Sequence, residues 1–218
     1  MRKKLRRFKE IRESGIVIER NTPLSNIIKG QWNALQFKNE NDNILELACG
    51  RGEYTTGMGK LFPDRNFIGV DLKGSRLWTG MYVAREEKLT NTAFLRTQID
   101  HLDRFFSPGE VNEIWIVFPD PRPKKSDERR RLTSTKYLDV YRKILVKGGW
   151  IHLKTDSDGL FQYSLELLAK QPFVKELQFT LNLYESKFSE DHHGITTRYE
   201  REFISQGFTI KYLKFRLF

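Results

Sequence analysis

The sequence predicts an α/β protein: a mostly parallel β-sheet with helices on both faces and antiparallel strands near the C-terminal end. Three observations carry that expectation. Short apolar, β-prone runs alternate with longer stretches of helical spacing from about residue 44 to 169, which implies right-handed strand-crossover-strand units. Residues 175–184 and 207–218 instead alternate apolar and polar side chains, the period of half-exposed antiparallel strands. Hydrophobic residues make up 39% and charged residues 30% of the 218, which fits a globular chain and argues against a disordered or membrane-spanning one.

Residues 1–20 read as a basic arm, ordered on binding, and residues 21–218 as one domain. A helix is expected from Thr22 to Phe37, opened by the Thr22-Pro23 pair. Ile44 to Ala48 is the first strand of the alternating part and ends in a glycine-bearing turn, after which Glu53 to Leu61 is helical. Asn66 to Val70 is a strand ending at Asp71, and Ser75 to Leu89 a long helix. Strands follow at Ala93 to Thr97 and Glu113 to Phe118, the second bounded by the proline-rich FPDPRPKK. Ser134 to Leu145 is a helix stopped by Lys147-Gly148-Gly149, Trp150 to Thr155 a strand, and Ser157 to Ala169 a helix. A polar loop, SEDHHGITTRYE, separates the two C-terminal strands.

The net charge of +10 is local: residues 1–20 hold eight Lys and Arg against three Glu, and residues 122–131 six against two acids. Two basic windows flanking a site suit a polyanion such as nucleic acid. The first twenty residues lack the apolar stretch of a secretory signal, so the expected compartment is the cytoplasm, with no membrane partner. Cys49, the one cysteine, cannot form an internal disulfide or a cysteine-based zinc cage, and it reads as a small buried residue. Adjacent His192 and His193 beside Asp191 point in different directions, so no metal is expected.

In open parallel sheets ligands sit beyond the carboxyl ends of the strands, and Glu46, Asp71, Asp100, Asp120 and Asp156 all stand at such ends. Gly50 and Gly52 let the turn after Glu46 approach a ligand closely. A dinucleotide turn would need a third glycine where Thr55 stands, and an acid before the glycines repels a pyrophosphate while accepting from an ammonium. Asp71 is placed for ribose hydroxyls and Asp100 for an adenine edge, a set that suits S-adenosylmethionine, which has a cationic tail and no phosphate. Prolines on both sides of Asp120 stiffen its loop, with Lys124 and Lys125 following for a phosphate backbone. Thr155-Asp156 and Thr197-Arg198-Tyr199-Glu200 offer a hydroxyl, a ring and carboxylates that can stack on and accept from a guanine.

In this order ELACGRGEY, FIGVDLKG, FPDPRPKK followed by RRRL, LKTD and TRYE resemble the bacterial tRNA (guanine-N7-)-methyltransferase family, from about residue 44 onward. The resemblance implies a class I methyltransferase (Rossmann-like) fold, S-adenosylmethionine as donor, and N7 of a variable-loop guanine in tRNA as acceptor. By the same resemblance Glu46, Asp71, Asp100 and Asp120 contact the donor, with the turn glycines Gly50 and Gly52. Lys124, Asp156, Thr197, Arg198, Tyr199 and Glu200 contact the tRNA, and Asp120 is the catalytic candidate, in a monomer or homodimer. Ala48, Asp71 and Arg122 depart from the family pattern of glycine, glutamate and tryptophan. A methyltransferase for another RNA, a non-catalytic RNA-binding module and a nicotinamide dehydrogenase are the alternatives.

Overall fold

The computed structural model describes residues 2–218, with side chains described from Leu5 onward, so the basic side chains of Arg2, Lys3 and Lys4 lie outside the described residues. The strands are β1 (Val17–Glu19), β2 (Asp42–Leu47), β3 (Arg65–Asp71), β4 (Thr92–Arg96), β5 (Val111–Val117), β6 (Leu145–Thr155), β7 (Val174–Thr180) and β8 (Lys211–Leu217). They form one sheet in the order β1-β4-β3-β2-β5-β6-β8-β7. The pairs from β1 through β6 are parallel, while β8 lies antiparallel between β6 and β7. The helices are α1 (Arg2–Glu13), α2 (Glu53–Leu61), α3 (Gly74–Glu86), α4 (Thr135–Ile144), α5 (Asp158–Leu168) and α6 (Arg198–Ser205).

Alternate strand residues feed opposite faces. Leu45, Leu47, Ile68, Val70, Ile114 and Leu153 build the main core with Leu138 and Tyr141 of α4 and Leu160 of α5. On the other face Phe94 packs with Leu77 and Met81 of α3, and Trp115 with Tyr54 of α2 and Tyr212 of β8.

The N-terminal segment differs from the expected arm. Residues 2–13 are helix α1, Ile11 is fully buried against α3, and Val17–Glu19 adds an edge strand beside β4. Ile11 followed by the β-prone Ile16 to Ile18 is the apolar signal that its charge obscured. The helix expected over Thr22 to Phe37 is instead a 3₁₀ turn at Leu24–Asn26 and a π-helical turn at Trp32–Phe37. Gly30, at φ +74°, breaks the segment. Trp32 is buried and its indole nitrogen donates to the Phe105 carbonyl at 2.9 Å, so tertiary packing overrides helical spacing there. The Lys147-Gly148-Gly149 stop lies within β6, because the helix ends at Ile144 and the strand starts at once; a Cβ at Gly149 would come 2.9 Å from the Asn112 carbonyl.

Candidate active site

Strand order reverses between β2 and β5, with β3 on one side and β6 on the other. This is the crevice where such sheets bind ligands. Beyond these strand ends lies a cavity of about 660 Å³ lined by Ala48, Asp71, Ile99, Asp100, Asp120 and Tyr137 among others, a volume typical of small-ligand sites. Three of the five strand-end acids thus converge.

Asp71 is tied to the glycine turn: Gly50 N–H donates to its Oδ2 at 3.0 Å and Lys73 N–H to its Oδ1 at 2.8 Å. Each oxygen keeps a lone pair for a further donor. Asp100 accepts from the Tyr137 hydroxyl at 3.4 Å and pairs with Lys136. Asp120 is the most open of the three, its side chain 62% exposed, and both oxygens face Arg122: the Arg122 N–H donates at 3.2 Å and its Nε lies at 3.2 Å. Sequence reasoning missed this grip of Arg122 on Asp120. Phe118 and Arg122 adopt φ of +47° and +48°, so the loop holds two residues in the left-handed region, each followed by a proline that restricts it further. Lys124 is exposed on the same loop.

The two glycines separate in role. Gly50, at φ +57°, has nothing within 4 Å of a would-be Cβ, leaving room beside the cavity. Gly52, at φ +71°, is a packing residue, since a Cβ there would fall 2.6 Å from the Phe94 ring and 3.3 Å from Gly80 of α3. Ala48 holds φ +55°, a left-handed conformation that a glycine takes without cost.

Glu46 does not line the cavity. It is buried, and its Oε2 accepts from Thr55 N at 2.7 Å and from the Thr55 hydroxyl, tying β2 to α2. Burial pushes its carboxyl up to about 8, with Thr55 only partly opposing. Cys49 is buried beside it, and burial raises its thiol well above the ordinary range, which leaves it unreactive. Asp156 is partly buried just past β6, and burial raises its carboxyl as well.

The TRYE segment is the start of helix α6. Thr197 Oγ1 accepts from Glu200 N at 3.1 Å and Glu200 accepts from Thr197 N at 3.2 Å, a capping box. Glu200 is fully buried, and its carboxylate also meets Lys154 Nζ at 2.8 Å and the Tyr184 hydroxyl at 2.7 Å. Its oxygens are therefore committed within the protein, while Arg198 and Tyr199 next to it are exposed. The Arg198 N–H donates to Glu53 at the start of α2 at 3.2 Å, which holds α6 near the glycine turn. Lys154, buried at the end of β6, was missed in the sequence; its signal is a lone cation in the apolar strand WIHLKT. Asp191 accepts from Tyr212 and Lys214, and among the described residues no three His, Cys, Asp or Glu are grouped to hold a metal.

Comparison with known proteins agrees with this geometry. A family model described as "Putative methyltransferase" matches residues 40–213. A tRNA (guanine-N(7)-)-methyltransferase of Cytophaga hutchinsonii is 46% identical over 98% of this chain and 97% of its own, and one of Bacteroides fragilis is 49% identical over 87% and 74%. Among solved structures the chain resembles the 16S rRNA methyltransferase KamB, with a TM-score of 0.61, 16% identity and coverage of 84% of this chain and 90% of that one. The fold is thus that of the class I methyltransferases, and the chain belongs to the tRNA (guanine-N7-)-methyltransferase family.

Proposed function

We propose that this protein transfers a methyl group from S-adenosylmethionine to N7 of a variable-loop guanine in tRNA, in the cytoplasm, as a monomer or homodimer. The observation that carries the reading is the convergence of Asp71, Asp100 and Asp120 on one nucleoside-sized cavity at the switch point, beside the basic loop of residues 122–131. Three carboxylates and an open glycine turn fit a cationic, phosphate-free nucleoside. When bound, that donor supplies an electrophilic sulfonium methyl group.

Within this reading Asp71 accepts from the ribose hydroxyls and Asp100 from the adenine amino group. Guanine N7 has a lone pair and no proton, so no general base is required and the residues serve mainly to orient the reactants. Asp120 lies beside the acceptor and offsets the positive charge that guanine gains. Arg122 covers Asp120 with both its backbone N–H and its guanidinium, so it swings aside for the base, and its plane is then free to stack. Lys124, Arg198 and Tyr199 are exposed and available to RNA, Asp156 is half-open, and Thr197 and Glu200 hold the helix that presents the TRYE segment. Glu46 acts through Thr55 on the turn.

Incubating the purified protein with unmodified tRNA and labelled donor, then mapping the modified base, tests the reading. Label at N7 of the variable-loop guanine is expected. Label only in another RNA, or donor binding without transfer, would replace it with one of the alternatives.

A further inference from the structure

The charge of the first twenty residues is sorted by the fold. Arg6 pairs with Glu10 at 3.3 Å and Lys9 with Glu13 at 3.8 Å along α1, and the Arg7 guanidinium stacks on Trp78 of α3 at 4.3 Å. Arg12 and Arg20 make no ion pair or side-chain hydrogen bond among the described residues, and both are exposed. They meet across a second cavity of about 780 Å³, whose wall also carries Arg96 and His101 against one carboxylate, Glu19. That carboxylate is already committed to Arg96 at 2.6 Å. Leu72, Thr97 and Gln98 line both this cavity and the one holding Asp71, Asp100 and Asp120, so the two are neighbours on the carboxyl edge of the sheet.

The topology explains the placement. β1 runs parallel to β4, which puts Arg20 at the same edge as the strand-end acids but in cationic form. From β1 to β5 is four strand spacings, roughly 19 Å, and the other basic window follows β5. A polyanion laid along that edge therefore meets cations on both flanks of the donor cavity.

We infer that the cavity between α1 and the ends of β1 and β4 is a phosphodiester site for the RNA backbone of the substrate, with Arg12 and Arg20 as its principal ligands. This rests on the RNA methylation reading above. Guanidinium groups suit phosphate because their planar donor forks bond two oxygens at once.

The test is Arg12→Ala with Arg20→Ala in the full-length protein, compared with Arg6→Ala with Lys9→Ala, which lie on α1 away from the cavity. Binding to unmodified tRNA is measured across a salt titration, donor binding by calorimetry, and KM and kcat with tRNA varied. The first pair is expected to weaken tRNA binding about tenfold, lower the salt slope by about two and raise KM, with kcat and donor affinity kept; the second pair changes binding under about twofold. Unchanged tRNA binding and slope for the first pair would overturn the site. So would an equal loss from both pairs, which would mean a diffuse cationic arm, or a loss of donor affinity, which would assign the cavity to the donor. Wild-type protein that methylates no tRNA would instead defeat the reading on which the inference rests.

Discussion

Asp120 is set apart from the other acids by its exposure and by its partner: Arg122 of its own loop holds it, whereas Asp71 is bound by the glycine turn and Lys73 and Asp100 by residues of α4. Replacing Asp120 with Ala is therefore expected to lower kcat on the order of 100- to 1,000-fold with tRNA affinity nearly unchanged, measured by single-turnover transfer and filter binding. Retained turnover would remove its role. Glu46 gives a pH signature of the opposite kind. Its carboxyl is lifted from 4.5 to about 8 by burial, so between those values the folded protein keeps a proton that the unfolded chain releases. Stability is then fullest below the lower value, falls as pH rises through the window, and levels off above the upper one. Glu46→Gln is expected to flatten that fall, gaining on the order of a few kcal/mol relative to wild type between about pH 5 and about pH 8 in urea unfolding. Parallel pH profiles for the two proteins would contradict it.

At the scale of elements, the end of β6 and the start of α6 are joined by a buried charge pair, Lys154 with Glu200, supported by Tyr184 and the capping box. Removing one member strands the other in an apolar site. Lys154→Met is expected to cost about 3–5 kcal/mol, and adding Glu200→Gln to recover much of it, because the neutral amide oxygen still accepts from the Thr197 N–H while its NH2 donates to the Tyr184 hydroxyl oxygen. Denaturant midpoints at constant m-value would check this, and additive losses would refute the coupling. This junction also marks where the sequence was legible and where it was not. The parallel strands, their terminal acids and the antiparallel C-terminal pair were readable because hydrophobic period and strand-end chemistry are local signals. Helix α6 starts inside the polar loop SEDHHGITTRYE, where T-x-x-E is its capping signature, and Glu200, expected toward the substrate, is buried inside the protein. The grip of Arg122 on Asp120 depends on a φ of +48° that no residue type at that position announces. The strand Val17–Glu19 is too short, and its surroundings too charged, for periodicity to reveal it.

The molecule as a whole is a sheet whose two outer regions serve different ends. On one side α1 closes the α3 face through buried Ile11, and Glu10 accepts from the Trp78 indole at 2.5 Å. Deleting residues 1–13 is accordingly expected to cost about 2 kcal/mol or more and lower Tm by several degrees, read by calorimetry without RNA; a merely tethered tail would leave Tm unchanged. Among the described residues no helix is long and apolar enough to cross a membrane. On the other side β8 enters between β6 and β7, although β7 precedes it in the chain. While the ribosome is still making residues 211–217, β7 has no neighbour to join and the β6 border stays bare. Assembly of that flank must therefore wait for β8 to emerge, and a translation pause just before it would leave an adhesive margin open to other nascent chains.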